Sequence, residues 1–406
     1  MSDTNRPDTN RPERPGHTLP NDLKPETRLV HGGYDGHRFH GFVNPPVVHA
    51  STVLFASAQA HLTDSQRYVY GRHATPTNEA LSDAISELEG AAGTRLMPSG
   101  VSAITAALLS VLRPGDHLLM VDNVYGPTRK FCDSFLTRMG IATTYYDPAL
   151  GAGLEALMRP QTRAVFLEAP GSGTFEMQDV PAIVAVAARA GAYTLMDNTW
   201  ATPLFFRPLE HGVDFSIQAA TKYISGHSDV MIGTVAASPR AWGPLQETCR
   251  ELGLTVGPDD VYLAYRGLKT MAVRLKQHQA SGLKVARWLE SRPEVTRVRH
   301  PGLESDPGHA LWKRDFSGAC GLFAFETGPI SDRQTAAFLD ALTLFGMGYS
   351  WGGYESLAIR VNPAPIRTAV RWQAPGTLFR LHIGLEDPDD LMADLARGLA
   401  AMTAAA

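Results

Sequence analysis

Cysteine is scarce in this chain. Its 406 residues hold three, Cys132, Cys249 and Cys320, far apart and never arranged as CxxC. That spacing excludes a disulfide framework and fits a reducing compartment in which each thiol is a small buried hydrophobe. An excess of positive charge is also missing. The formal net charge is −4 and no basic run is interleaved with aromatics, so nucleic acid is not an expected partner. No apolar run reaches membrane-spanning length without a charge or a glycine breaking it. No membrane partner is expected, and the chain reads as cytoplasmic. Walker A and GxGxxG motifs are absent as well. Nucleotide-triphosphatase and Rossmann dehydrogenase chemistry therefore lose support.

What is present is an ordinary globular composition, 44% hydrophobic and 19% charged, on a chain long enough for two domains and a large core. The first 26 residues, "MSDTNRPDTNRPERPGHTLPNDLKPE", repeat Asn-Arg-Pro and lack an apolar core. They read as a disordered tail, not a signal peptide. From Thr75 onward, short apolar runs alternate with helical patterns. "TNEALSDAISELEGAAG" is helical with Gly90 as its stop, and "SGVSAITAALLSVL" is a turn feeding a buried helix. "DHLLMVDN", "RAVFLEAP", "AYTLMDN" and "DFSIQAA" are strand-like, while "TRKFCDSFLTRMG" and "DVPAIVAVAARAG" are helical. This alternation predicts an α/β fold with a mostly parallel sheet covered on both faces, ligands lying beyond the carboxyl ends of the strands. Past residue 270 a long amphipathic helix, the strands "GLFAFET" and "LFRLHIGLE", and two further helices suggest a smaller α+β unit.

Several chemical signals are weak. Ser281-Gly-Leu-Lys284 matches SxxK, but it sits in an amphipathic helix with no KTG, which favours a solvated face. His31, His37 and His40 have no carboxylate or cysteine at metal-site spacing, so no metal is expected. A stronger set remains. "PSGVSAI" places small residues where a helix starts, an anion site suited to phosphate or simply a cap. Tyr125 follows a strand, where it can stack on a planar group or be an ordinary half-buried tyrosine. Asp197 can cap a turn or keep a pyridine nitrogen protonated. Lys222, in "IQAATKYISGHSDVMIG", stands among small and apolar residues. It is either a surface lysine or an amine made less basic by burial. In that order, the four features describe a pyridoxal 5'-phosphate (PLP) site, which needs a Schiff-base lysine and an acidic partner for the ring nitrogen.

The motifs "YGRHATPT", "MDNTWATPLFF", "IQAATKYISGHSDVMIGT", "YRGLKTMAVRL", "KRDFSGACGLF", "SWGGYES" and "FRLHIGLED" carry a closer likeness. Across residues 27 to 402 the chain resembles the cysteine/methionine-metabolism PLP enzymes of the aspartate-aminotransferase fold type (fold type I). The resemblance implies an arm at 27–73 touching a neighbouring subunit, a large PLP-binding domain at 74–270 and a smaller domain at 271–406. It implies that Lys222 is the Schiff-base lysine, that Asp197 pairs with the pyridinium, and that Tyr125 stacks on the ring. Ser99, Gly100, Val101 and Thr221 would hold the phosphate. Tyr70 and Arg72 would reach the phosphate of a neighbouring copy in a dimer, within a homotetramer. Arg380 would clamp the substrate α-carboxylate beside Ser350, Trp351 and Tyr349.

Three departures from the wider family point to its β-lyase branch. Ala219 stands where a phosphate-binding serine is common, "EAPGSGT" puts Ser172 where an asparagine is common, and "YSWGGYES" brings Tyr349 and Trp351 where smaller residues are typical. The likeness thus implies a carbon–sulfur lyase of methionine biosynthesis. It would cleave L-cystathionine to homocysteine, pyruvate and ammonia, and accept other cysteine S-conjugates. The alternatives are a γ-acting relative, either a synthase or a lyase, and a PLP-fold binding protein without turnover.

Overall fold

The computed structural model describes residue 20, residues 22–373 and residues 376–406. Most of the expected tail, residues 1–19 and 21, lies outside them, and a helix Pro25–His31 begins at the tail's end. Two sheets organise the rest. The larger contains β1 (Gly93–Met97), β2 (His117–Val121), β3 (Ala142–Tyr146), β4 (Thr162–Glu168), β5 (Tyr193–Asp197), β6 (Phe215–Gln218) and β7 (Gly233–Ala237). Their spatial order is β1-β7-β6-β5-β4-β2-β3. Only β7 runs antiparallel to its neighbours. Strands β2, β6 and β7 are buried along their full length, because helices cover both faces of the sheet. The smaller sheet is wholly antiparallel, in the order β10 (Leu357–Val361), β11 (Leu378–His382), β9 (Leu322–Thr327), β8 (Val295–Arg299).

Local chemistry sets the helix ends near the site. Thr75 caps Pro76–Glu89 through its side chain, and Gly90, at φ 66°, ends it in the left-handed conformation that glycine tolerates. Ser99 caps Gly100–Val111 in a reciprocal box with Ser102. The stretch expected as one helix after Tyr125 divides instead into an α-helix, Gly126–Lys130, and a wide turn of π type, Phe131–Leu136. The 20-residue helix Met271–Glu290 contributes Met271 and Leu275 to the main core. Its Val285 and Leu289 join a second core with Phe323, Phe325, Phe338 and Phe379. The rings of Phe325 and Phe379 stack at 5.3 Å. Among the described residues no helix is long and apolar enough to cross a membrane.

A buried ion network fastens the β10–β11 connection onto the large sheet. Asp122, just past β2, accepts from Arg367 Nε at 3.0 Å, from the Thr368 N–H at 3.0 Å and from the Val370 N–H at 2.9 Å. Arg129 donates to it at 2.5 Å, and Arg367 also reaches Glu176 at 2.8 Å. Burial works against ionising Asp122, but the backbone donors and Arg367 outweigh it and hold its acid down at about 2. Replacing Arg367 by Met leaves the buried Asp122 with Arg129 as its remaining ion-pair partner and takes the Arg367 pair from Glu176. Unfolding in urea should show a loss of about 3 kcal/mol or more. Arg360→Met, which removes a solvent-facing pair with Asp332, should change unfolding little.

Candidate active site

The carboxyl ends of β2, β4, β5 and β6, with the start of the Gly100–Val111 helix, surround a cavity of about 290 Å³. Lys222 stands one tight turn beyond β6, where its N–H donates to the Ala219 carbonyl at 3.0 Å. Its Nζ donates to Ser350 Oγ at 2.7 Å and lies 5.3 Å from the centroid of the Trp351 ring. Burial, with repulsion from Arg380 added, pushes the amine down to about 8 despite attraction from Asp197. The sequence question about this lysine is answered by its surroundings. It is no freely solvated surface cation.

Asp197 closes β5. Its Oδ1 accepts from the Thr199 N–H at 3.0 Å and from the Thr199 hydroxyl at 2.5 Å. Thr199 Oγ1 in turn accepts from the Ala219 N–H at 2.8 Å. One carboxylate oxygen is thereby occupied and fixed, leaving Oδ2 for a ligand. Burial raises the acid above the ordinary range, with Thr199 and Lys222 opposing, so a cationic partner in the cavity would be strongly favoured. Beside it on the neighbouring strand, Glu168 pairs in register with Asp197 and accepts from the Tyr125 N–H at 2.8 Å. Tyr125 itself is held at the mouth of the cavity with its ring partly exposed.

Ser99, Gly100, Val101 and Thr221 also line the cavity. The capping box consumes the Ser99 hydroxyl and N–H, while the Gly100 and Val101 N–H groups belong to the first turn, which has no intrahelical acceptors. A Cβ on Gly100 would lie 2.7 Å from that of Ala219. Glycine is therefore what lets this helix end approach the lysine turn. Free N–H donors, a helix N-terminus, a fixed carboxylate and a weakened amine suit a planar cationic ring bearing an anionic phosphate. The residues present fit PLP.

On the third side, Arg380 of β11 gives one nitrogen, Nη2, to the carbonyls of Gly348, Tyr349 and Ser350, at 3.3, 2.8 and 3.2 Å. Its remaining fork, Nη1 and Nε, is available to a carboxylate. Ser172, Tyr349, Ser350 and Trp351 also line the cavity. Tyr70 and Arg72 do not. Arg72 instead donates to its own chain's Arg250 carbonyl at 3.1 Å and borders a different cleft. The sequence reading missed Thr199 and Glu168 as site residues. Each stands inside or beside a quoted motif, but its importance rests on hydrogen bonds to residues 20 or more positions away. Among the described residues no group of three or more His, Cys, Asp or Glu could hold a metal.

The family model for Cys/Met metabolism PLP-dependent enzymes matches residues 26–400. A Rhizobium johnstonii relative is 56% identical over 93% of this chain and 96% of its own length. The cystathionine beta-lyase of Escherichia coli is 45% identical over 93% of this chain and 99% of its own. A solved cystathionine gamma synthase from Xanthomonas oryzae pv. oryzae, in complex with aminoacrylate and cysteine, superposes with a TM-score of 0.87 at 32% identity. The match covers 95% of this chain and 100% of the synthase.

The depressed amine makes a measurable prediction. In cofactor-stripped protein, Lys222 should react with trinitrobenzenesulfonate half-maximally near pH 8, as followed by mapping the labelled peptide. Arg380→Met removes a neighbouring cation that disfavours the ammonium, so the half-point should move upward in pH.

Proposed function

The chain belongs to the Cys/Met metabolism PLP-dependent enzyme family, and from that premise we infer that it is a carbon–sulfur β-lyase acting on L-cystathionine. Homocysteine, pyruvate and ammonia are its products. One observation carries the reading: a weakened Lys222 amine, a fixed Asp197 carboxylate and the open Arg380 fork face one cavity with free phosphate-binding N–H groups. Sequence identity places the chain nearer to the E. coli β-lyase, at 45%, than to the γ-synthase, at 32%.

PLP, when bound, supplies an electron sink for the charge that develops at the substrate Cα. The protein's residues do the rest. Arg380 takes the α-carboxylate on Nη1 and Nε, and this aims the Cα–H bond at Lys222. Lys222 Nζ accepts that proton, being neutral in a useful fraction at neutral pH because its acid lies near 8. The same ammonium then hands its proton to the departing sulfur. Asp197, its other oxygen fixed by Thr199, would hold the cofactor's ring nitrogen as a cation through Oδ2. Tyr125 would pack against the cofactor ring, and its phenol lies near enough to Arg380 to feel its charge. Tyr349 and Trp351 border the space for the thioether chain.

Among the described residues lining the cavity, Lys222 and Arg380 are the only basic ones, which leaves the phosphate end short of a further cation. A second copy supplies one in our reading, through Tyr70 and Arg72, and a dimer of dimers follows. Support comes from the arm, where Phe42, Val43, Leu54 and Leu62 are exposed, an apolar surface suited to burial between copies. A cytoplasmic setting fits the three free, buried thiols.

Keto-acid analysis tests the assignment. Cystathionine should yield pyruvate, and 2-oxobutyrate in its place would move the chain to γ-elimination. Lys222→Ala should lose nearly all turnover, and borohydride should fix the cofactor to the peptide carrying Lys222 in the unmodified enzyme only. Arg380→Ala should lower kcat/KM roughly 10–100-fold, the equivalent of about 1.4–2.8 kcal/mol of lost charged hydrogen bonding.

A further inference from the structure

Strand β11 presents Arg380 and His382 two residues apart, hence on one face. Both meet the same loop. Arg380 gathers the carbonyls of Gly348, Tyr349 and Ser350. His382 Nε2 lies 3.1 Å from the Gly352 nitrogen and 3.0 Å from the Gly353 carbonyl oxygen. Gly352 adopts φ +85°, and a Cβ there would lie 2.9 Å from Lys222 Cα. The loop is thus pressed between the imidazole on one side and the backbone of the lysine on the other. Next to that peptide sits Trp351, whose ring packs on Tyr223 at 5.5 Å, and before it Ser350, the acceptor for Lys222 Nζ.

The ordinary alternative is a histidine that merely fills the core. His382 is 1% exposed and sits among the rings of Tyr223, at 6.0 Å, and His278, at 5.3 Å. Its Nδ1 has no hydrogen-bond partner, and neither does His278 Nε2. A leucine or phenylalanine would fill this box without the unpaired Nδ1, whose burial carries a cost of about 1–3 kcal/mol, but would strip the loop of its Nε2 partner. The imidazole earns its place through Nε2 alone. Burial, with His278 adding, pushes its acid down to about 3, so the ring is neutral. A neutral ring makes one of the two loop bonds at a time, as donor to Gly353 or acceptor from Gly352.

We propose that His382 is a positioning residue for this active site: through the Gly352 N–H or the Gly353 carbonyl it pins the loop so that Ser350 and Trp351 stay registered against Lys222 and the substrate side chain. The substrate part of this proposal rests on the β-lyase reading; the anchoring part does not. If the loop is released, Ser350 and Trp351 shift together, and the carbonyls that orient Arg380 loosen with them.

Two variants test it in the holoenzyme. His382→Leu keeps bulk and removes the bond. His382→Gln places an amide near the Nε2 position. Hydrogen exchange across residues 346–356 should speed up roughly tenfold in the Leu variant, as expected for one lost hydrogen bond. Peptides of β9 should keep their protection, and the Gln variant should return to the wild-type rate. In parallel kcat/KM for L-cystathionine should fall about tenfold in the Leu variant, with KM raised, and recover in the Gln variant. Unaltered exchange at 346–356 in the Leu variant overturns the proposal. So does equal acceleration throughout the protein in both variants, which marks a purely structural role. If no cystathionine were cleaved at all, the β-lyase reading would fail while the exchange comparison still decided the anchoring.

Discussion

The site depends on one electrostatic constraint: an amine and a guanidinium share a small, half-dry space with the well-fixed Asp197 carboxylate. Burial disfavours the charge on Lys222, Arg380 disfavours it further, and Asp197 offsets only part of this. A lysine in water would be protonated and inert as a base. Here the balance leaves it poised, and each surrounding feature serves that balance. Thr199 keeps the carboxylate in place, Gly100 lets the helix end come close, and the loop leading into β10 holds one nitrogen of the guanidinium.

The fold converts a chain order into this convergence. Asp197 and Lys222 lie at the ends of adjacent strands β5 and β6, and Tyr125 two strands away beyond β2, so residues about 100 positions apart meet at one edge. Arg380 comes from the other sheet. It arrives correctly because the β10–β11 connection is tied through Arg367 to Asp122, which stands three residues before Tyr125. The strand carrying Arg380 and the turn carrying Tyr125 therefore share one buried anchor.

Much of this was legible in the sequence, for specific reasons. Lys222, Asp197, Tyr125 and Ser99 sit where a strand ends or a helix starts, and both events leave a local pattern of apolar run followed by small or polar residue. Gly90 announced its helix end through the same kind of local chemistry. Strand β7 was not legible. Gly233–Ala237 is short and made of small residues without alternation, and it exists because β1 and β6 both pair with it. Thr199 and His382 were also hidden, since their importance lies in bonds to backbone groups at Ala219 and Gly352. The wide turn at Phe131–Leu136 breaks a helical pattern that sequence periodicity cannot distinguish from a regular helix.

The rim of the cavity differs in kind from its floor. Met231 and Tyr349 border the opening with their side chains largely in solvent, while the backbone beneath Tyr349 is held by Arg380. Side-chain exchange at these two places costs little packing and leaves Lys222, Asp197 and Arg380 untouched. Under the proposed function, selectivity and reactivity are in this way inherited separately, and a lineage can broaden its diet of sulfur compounds without relearning how to break the bond.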